Sequence, residues 1–106
     1  MTRMHLESHG FRVVGEAANG AAAVADSWKL RPDFIVMDHQ MPYLTGRQAS
    51  DHIQEIAPES QIVVFSASLE ERPDWAEVFL NKTRLEELGP LLLEMRDKRA
   101  TGGEDT

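Results

Sequence analysis

Short apolar runs recur along the chain, each bounded by Gly, Pro or polar residues. Such runs are typical of β-strands. Four of them are present: Phe11–Glu16, Phe34–Met37, Gln61–Ser66 and Val78–Leu80. The second and third are almost continuously apolar, which favours strands that are buried on both faces of a sheet.

The segments between these runs have apolar residues every three or four positions, the spacing of one face of a helix. One predicted helix follows the Asn19-Gly20 turn, carries Trp28 on its core side and ends before Pro32. Another carries Ile53 on its core side and ends at Pro58. Strands that alternate with amphipathic helices predict an α/β domain with a parallel sheet.

The C-terminal part of the chain predicts one more helix. Thr83 and Glu86 have the spacing of a capping box, which opens a helix. Pro90 follows Gly89 and predicts a kink or a restart. Residues 99–106 contain no apolar residue larger than Ala and are expected to form a disordered tail. We therefore expect a single domain over residues 1–98.

Polar side chains follow three of the predicted strands. Asp38 comes directly after Phe34–Met37, Ser66 ends the next strand, and Lys82 lies just beyond the last. Each alone is more typical of a structural residue at a strand end. Because ligands bind at the carboxyl ends of parallel strands, the three are expected to converge. Together they predict a carboxylate that accepts a phosphoryl group, with a hydroxyl and an ammonium to hold its oxygens.

Composition narrows the classes of function. The 106 residues carry 11 Lys and Arg against 18 Asp and Glu, a net charge of −7, which disfavours nucleic-acid binding. The absence of Cys excludes disulfides and thiolate chemistry. No apolar run approaches the length of a membrane span or a signal peptide, so we expect a cytoplasmic protein.

Three ordered motifs carry a resemblance to a known family. Residues 34–46, FIVMDHQMPYLTG, resemble the phosphoacceptor loop of response-regulator receiver domains: an apolar strand, Asp, two variable residues, Met-Pro and then Gly. Val63–Ala67 resembles the family's strand that ends in Ser/Thr-Ala, and Val78–Lys82 the strand that ends in Lys. Phe11–Gly20 resembles the second strand and its turn. The resemblance runs from about Leu6 to Met95 and implies a flavodoxin-like sheet flanked by helices.

The resemblance also implies roles for individual residues. Asp38 would accept a phosphoryl group from a histidine kinase or phosphotransfer protein. Ser66 would bond a phosphoryl oxygen, Lys82 would pair with the acyl phosphate, and the rotamer of Phe79 would report the switch. Asp38 and the main-chain carbonyl of Gln40 would ligate Mg²⁺. Phosphoryl transfer needs such charge neutralisation, which Mg²⁺ and Lys supply.

The chain departs from the family at its N-terminal end. The first residues resemble the end of the family's first helix, so the first strand and its Mg²⁺-binding acidic pair are missing. Mg²⁺ prefers several oxygen ligands, and its affinity should therefore be weak. The sheet should be incomplete, because the first strand lies between the second and third in the family's strand order. Phe11–Glu16 is expected to pair directly with Phe34–Met37, or a strand is exchanged in a homodimer, or the natural chain is longer.

A second departure lies between Ser66 and Lys82. This stretch has room for a turn or a short helix at most. In the family it contributes to the face through which members signal, so the usual output surface is in doubt.

These observations favour a receiver domain of a two-component system that is not itself an enzyme and signals to a protein partner. The alternative is a degenerate receiver, used as a phosphorylation-independent interaction or dimerisation module. Hydrolysis with Asp38 as nucleophile is disfavoured, because His39 offers the sole neighbouring base. His5 and His9 have a zinc-compatible spacing but no evident third ligand.

Overall fold

The computed structural model describes residues 2–38 and 44–102 of the chain. Helices and parallel strands alternate through most of these residues, as the apolar spacing predicted. The elements, in chain order, are α1 (Thr2–Ser8), α2 (Gly20–Leu30), β1 (Phe34–Met37), α3 (Gly46–Ile56), β2 (Gln61–Ser66), β3 (Val78–Asn81), a 3₁₀ helix (Lys82–Glu87) and α4 (Leu88–Gly102).

The three strands form one parallel sheet in the order β1-β2-β3. β2 is the central strand, and its residues Val63 and Val64 are almost completely buried. This arrangement confirms the predicted α/β class. Residues 67–77, which connect β2 to β3, form turns and bends without a helix. The short separation between Ser66 and Lys82 predicted a turn or a short helix at most, and the structure lies within that limit.

The described residues group into two compact units, and the larger comprises residues 14–83. It contains the sheet, α2 and α3. Its core brings together Met37 from β1 and Ile53 from α3, both buried, with Val24 of α2 packed against them. Ile53 is apolar and completely buried, so α3 anchors this core through the face that its spacing predicted.

The smaller unit comprises residues 1–13 and 84–106 and contains α1 and α4. The backbone N–H of Gly89 donates a hydrogen bond to Nε2 of His5 at 2.9 Å. A side chain at residue 89 would overlap the ring of His9, so glycine is required there. Both histidines therefore hold α1 against the start of α4. The described residues contain no group of three potential metal ligands, so the zinc hypothesis gains no support.

The prediction of a strand at Phe11–Glu16 was wrong, as was its direct pairing with β1. Residues 11–17 have no strand assignment, and β1 ends the described sheet on that side. The segment is β-branched, but β-propensity measures how well side chains fit a sheet surface rather than a backbone preference. Because no strand in the described part of the chain pairs with it, the apolar run alone does not make a strand.

Trp28 was also expected in the core, and this was wrong. Its exposed fraction is 59%. The buried stripe of α2 passes instead through Gly20, Val24 and Ser27, and the Ser27 hydroxyl donates to the Val24 carbonyl at 2.7 Å. The guanidinium of Arg31 lies over the Trp28 ring, 4.5 Å from its centroid. The small polar Ser27 can be buried because its hydroxyl is satisfied locally.

The end of the chain differs in two details from expectation. Thr83 does not open a helix through a capping box with Glu86; it lies in the 3₁₀ helix, and α4 begins at Leu88 with Pro90 in its first turn, where proline is tolerated. α4 continues to Gly102, into the segment expected as a tail, and residues 103–106 lie outside the described residues. The single-domain boundary at residue 98 stays a prediction.

Candidate functional site

The parallel register brings the carboxyl ends of the three strands to one edge of the sheet. β1 ends at Met37, which pairs with Val64, and Asp38 follows directly. β2 ends at Ser66, which pairs with Asn81 of β3, and Lys82 comes next along the chain. The three polar residues that the sequence singled out therefore follow neighbouring strands at the same edge.

Asp38 and Lys82 form an ion pair across this edge. The Nζ atom of Lys82 donates to Oδ2 of Asp38 at 2.6 Å, although 44 residues separate them in sequence. The side chains are 32% and 42% exposed, so water screens the pair. An exposed ion pair stabilises a fold by at most about 1 kcal/mol. The ammonium can therefore transfer to a new anionic group at Asp38 at little cost to the fold.

Ser66 is completely buried at the end of β2. Its Oγ lies 2.9 Å from Oγ of Ser68 and accepts the backbone N–H of Ser68 at 3.2 Å. The Ser66 hydroxyl is therefore engaged with its own loop. Sequence reasoning did not single out Ser68, although a second serine two residues on is the signal for this local turn.

Asn81, the last residue of β3, was also not identified as a site residue from the sequence. Its Nδ2 donates to the Leu69 carbonyl at 2.8 Å. Its Oδ1 accepts from the backbone N–H of Thr83 at 2.9 Å and from the Thr83 hydroxyl at 2.8 Å. Asparagine closes such turns with the amide two residues on, and its place directly before Lys82 was the available signal.

Two further residues were predicted to belong to the site. Phe79 lies in the middle of β3, half-buried and paired with Val64 of β2. Gln40, the expected source of a Mg²⁺-binding carbonyl, lies outside the described residues, as does His39. The roles of Phe79 and Gln40 stay predictions.

Comparison with known families identifies the chain. The sequence model of the family described as the response regulator receiver domain matches residues 1–81. This match covers more than half of the chain and includes all three strands of the described sheet. The chain belongs to the response regulator receiver domain family.

Curated relatives of this receiver domain include chemotaxis proteins. Over 58 residues, this receiver domain is 43% identical to the chemotaxis protein CheY of Thermotoga maritima. The alignment covers 55% of this chain and 48% of CheY. The receiver domain is 44% identical over 68 residues to a protein-glutamate methylesterase/protein-glutamine glutaminase of Hahella chejuensis, over 64% of this chain and 19% of the relative. The chain thus spans less than half the length of either relative, and the methylesterase match covers only its receiver part.

Solved structures share the receiver fold. The response regulator domain of Thermotoga maritima CheB aligns with a TM-score of 0.69 and 29% identity, over 88% of this chain and 83% of that one. The receiver domain of a sensor histidine kinase from Pseudomonas aeruginosa aligns with a TM-score of 0.65 and 25% identity, over 80% and 81%. That structure contains a magnesium ion coordinated in the active site cleft.

The described residues of this receiver domain do not form a comparable magnesium site. They contain no group of three His, Cys, Asp or Glu side chains that could hold a metal ion. At the sheet edge, Oδ2 of Asp38 already contacts the Lys82 ammonium. Mg²⁺ prefers octahedral oxygen coordination that includes carboxylates, and this donor set does not supply it.

Proposed function

We propose that this receiver domain accepts a phosphoryl group on Asp38 from a phosphohistidine of a histidine kinase or phosphotransfer protein. The observation that carries the proposal is the ion pair between Asp38 and Lys82 at the carboxyl edge of the parallel sheet. It combines a partly exposed carboxylate with a cation held within 2.6 Å.

The proposed step is a displacement at phosphorus. A carboxylate oxygen of Asp38 forms the new O–P bond, the N–P bond of the phosphohistidine breaks, and the imidazole leaves with that electron pair and takes a proton from solvent. Lys82 stays beside the carboxylate and neutralises the charge that collects on the phosphoryl oxygens. Ser66 then exchanges its contact with Ser68 for one to a phosphoryl oxygen, and the half-buried Phe79 follows this movement.

The direct test is the intact mass of the protein after incubation with a small acyl phosphate, with and without Mg²⁺. We expect the mass of one added phosphoryl group, and none in Asp38→Asn, whose amide does not attack phosphorus. Lys82→Ala should slow the addition without removing the acceptor. If folded wild-type protein gains no phosphoryl group, the proposal is overturned.

The role of magnesium is a separate part of the proposal. Asp38 and the Gln40 carbonyl remain the proposed ligands, and we expect weak binding because the described residues lack an acidic cluster. A Mg²⁺ titration followed by amide NMR near Asp38 should saturate only at high concentration. Tight binding would contradict this expectation and would indicate further ligands outside the described residues.

The lack of a metal-binding cluster among the described residues also favours the second candidate, a degenerate receiver that acts as an interaction or dimerisation module without phosphorylation. The mass measurement separates the two candidates, because this alternative expects no phosphoryl addition to folded protein. It also expects partner binding to be unchanged in Asp38→Asn.

In either case we propose a non-enzymatic signalling protein of the cytoplasm that acts through a protein partner and does not bind nucleic acid itself. Its strongly acidic composition supports the last point, because phosphate backbones need a basic surface. Among the described residues, no helix combines the length and hydropathy required to cross a membrane.

A further inference from the structure

Asn81 occupies a special position relative to the ion pair. It directly precedes Lys82, and its Oδ1 bonds both the backbone N–H and the hydroxyl of Thr83, which directly follows Lys82. The Asn81 side chain therefore bridges the backbone of Lys82 from one side to the other. Such a bridge restricts the backbone dihedral angles of the bridged residue, and with them the direction in which its side chain leaves the chain.

The other end of the Asn81 amide reaches the loop that follows Ser66. Its Nδ2 donates to the carbonyl of Leu69 at 2.8 Å. The same loop engages Ser66, because the Ser68 backbone N–H donates to the Ser66 hydroxyl oxygen. Ser66 and Asn81 are in addition paired in register on neighbouring strands. Hydrogen bonds at Ser68 and Leu69, which are neighbours along the chain, thus link the Ser66 hydroxyl through Asn81 to the backbone around Lys82.

We propose that Asn81 is a positioning residue for Lys82: its amide holds the Lys82 ammonium against Asp38 and couples that position to the Ser66 loop. A serine that turns toward a phosphoryl oxygen releases Ser68, and the loop then moves the Leu69 carbonyl that Asn81 holds. The catalytic consequence rests on the proposed phosphorylation of Asp38, whereas the positioning of Lys82 does not.

The first experiment measures the rate of Asp38 phosphorylation by an acyl phosphate in a double-mutant cycle. Asn81→Ala should slow the reaction roughly ten- to hundredfold, since small misplacements of a positioned group have effects of that size. In the Lys82→Ala background, Asn81→Ala should have no further effect, because the residue acts through Lys82. An equal loss in both backgrounds, or no loss in the wild-type background, overturns the proposal.

Two variants make the comparison specific. Asn81→Asp keeps the oxygen that accepts from Thr83 but loses the donor to Leu69, so its rate should lie between those of wild type and Asn81→Ala. Glu70→Gln changes an exposed side chain in the same loop and should retain the wild-type rate. Thermal unfolding of each variant establishes that it is folded at the assay temperature. A rate for Asn81→Asp below that of Asn81→Ala contradicts the bridging role of the oxygen.

A measurement on resting protein separates this proposal from the function on which its consequence rests. The NMR resonances of the Lys82 side chain report its pairing with Asp38 without any phosphorylation. Asn81→Ala should shift them in the same direction as Asp38→Asn does, because both loosen the ion pair. If wild-type protein is not phosphorylated but these shifts occur, the proposed function fails and the positioning role stands. If the Lys82 resonances do not move in folded Asn81→Ala, the positioning role is overturned.

Discussion

Single residues decide where several elements begin, and Thr45 shows this most directly. Its hydroxyl oxygen accepts the backbone N–H of Gln48 at 3.2 Å, and the Gln48 side chain accepts the Thr45 backbone N–H at 3.0 Å. These reciprocal bonds form a capping box at the start of α3. They satisfy two of the donors that every helix leaves unpaired in its first turn.

Thr45→Ala should lower the free energy of unfolding by about 1 kcal/mol, since it removes the acceptor of this cap. Urea denaturation followed by circular dichroism measures the change. Thr45→Ser is the matched control, because it keeps the hydroxyl and should stay close to wild type. Equal losses in both variants would show that the methyl group of Thr45, rather than its oxygen, stabilises α3.

The histidine contact in the smaller unit has a similar test. His5→Ala removes the acceptor for the Gly89 N–H and should reduce stability by about 1 kcal/mol. It should also speed hydrogen exchange of the Gly89 amide. Met4→Ala is the control, since Met4 is largely exposed in the same helix. An unchanged Gly89 exchange rate in His5→Ala would contradict a role for this bond in holding α4.

Some residues of the candidate site were predicted from the sequence, and others were not. Asp38 and Lys82 were predicted to converge at one edge of the sheet, and they lie in contact there, because parallel strands bring their carboxyl ends together whatever the length of chain between them. Ser68 and Asn81 were not predicted. Their contribution depends on side-chain bonds to backbone groups of a loop, and loop geometry has no periodic signal in the sequence.

The packing of a whole element depends on how closely a neighbouring segment can approach its backbone, as well as on the spacing of its apolar residues. Gly20 is buried at the start of α2, where an added Cβ would lie 2.6 Å from Cβ of Leu44 and 2.9 Å from its carbonyl oxygen. The segment that leads into α3 can therefore lie against α2 only because residue 20 has no side chain. The strand predicted at Phe11–Glu16 is absent for the opposite reason: its local pattern is favourable, but no strand of the described residues pairs with it.

Gly20→Ala should destabilise the protein by about 1–3 kcal/mol, because the overlap with Leu44 involves backbone that must shift. Gly15→Ala is the matched control. Its Cβ would meet only Cδ1 of Leu30, the end of a flexible side chain, and the change should stay within about 0.5 kcal/mol. Thermal unfolding of the two variants distinguishes them. Equal stability would indicate that the Leu44 segment adjusts freely.

Across the whole molecule, stability should be distributed unevenly over the sheet. β2 pairs on both sides, whereas β1 and β3 each pair on one side in the part of the chain that the structure describes. The backbone amides of a strand that is paired on both sides become accessible to exchange only when the larger unit unfolds as a whole. The parallel sheet was predicted from the alternation of helices and strands, and its strand order was implied by the resemblance to receiver domains. The structure of residues 11–17 was predicted wrongly, because it depends on what lies beside β1.

We therefore expect the amides of Val63 and Val64 to exchange most slowly in native-state hydrogen exchange. Protection should decrease from β2 toward β1 and β3. Slower exchange in β1 than in β2 would contradict the edge position of β1 and would indicate a partner on its outer side. Sedimentation velocity over a range of concentrations would then distinguish a second copy of the chain from pairing within one chain.

The exposed position of Trp28 has an optical consequence. An indole that is 59% exposed emits like a solvated fluorophore and is readily quenched by iodide or acrylamide. The chain has one other tryptophan, Trp75, which is half-buried in the loop between β2 and β3, the loop that also contains Ser68 and Leu69. Replacement of Trp28 by Phe would leave Trp75 as the single tryptophan. Its fluorescence could then report conformational changes at the carboxyl edge of the sheet without an added label.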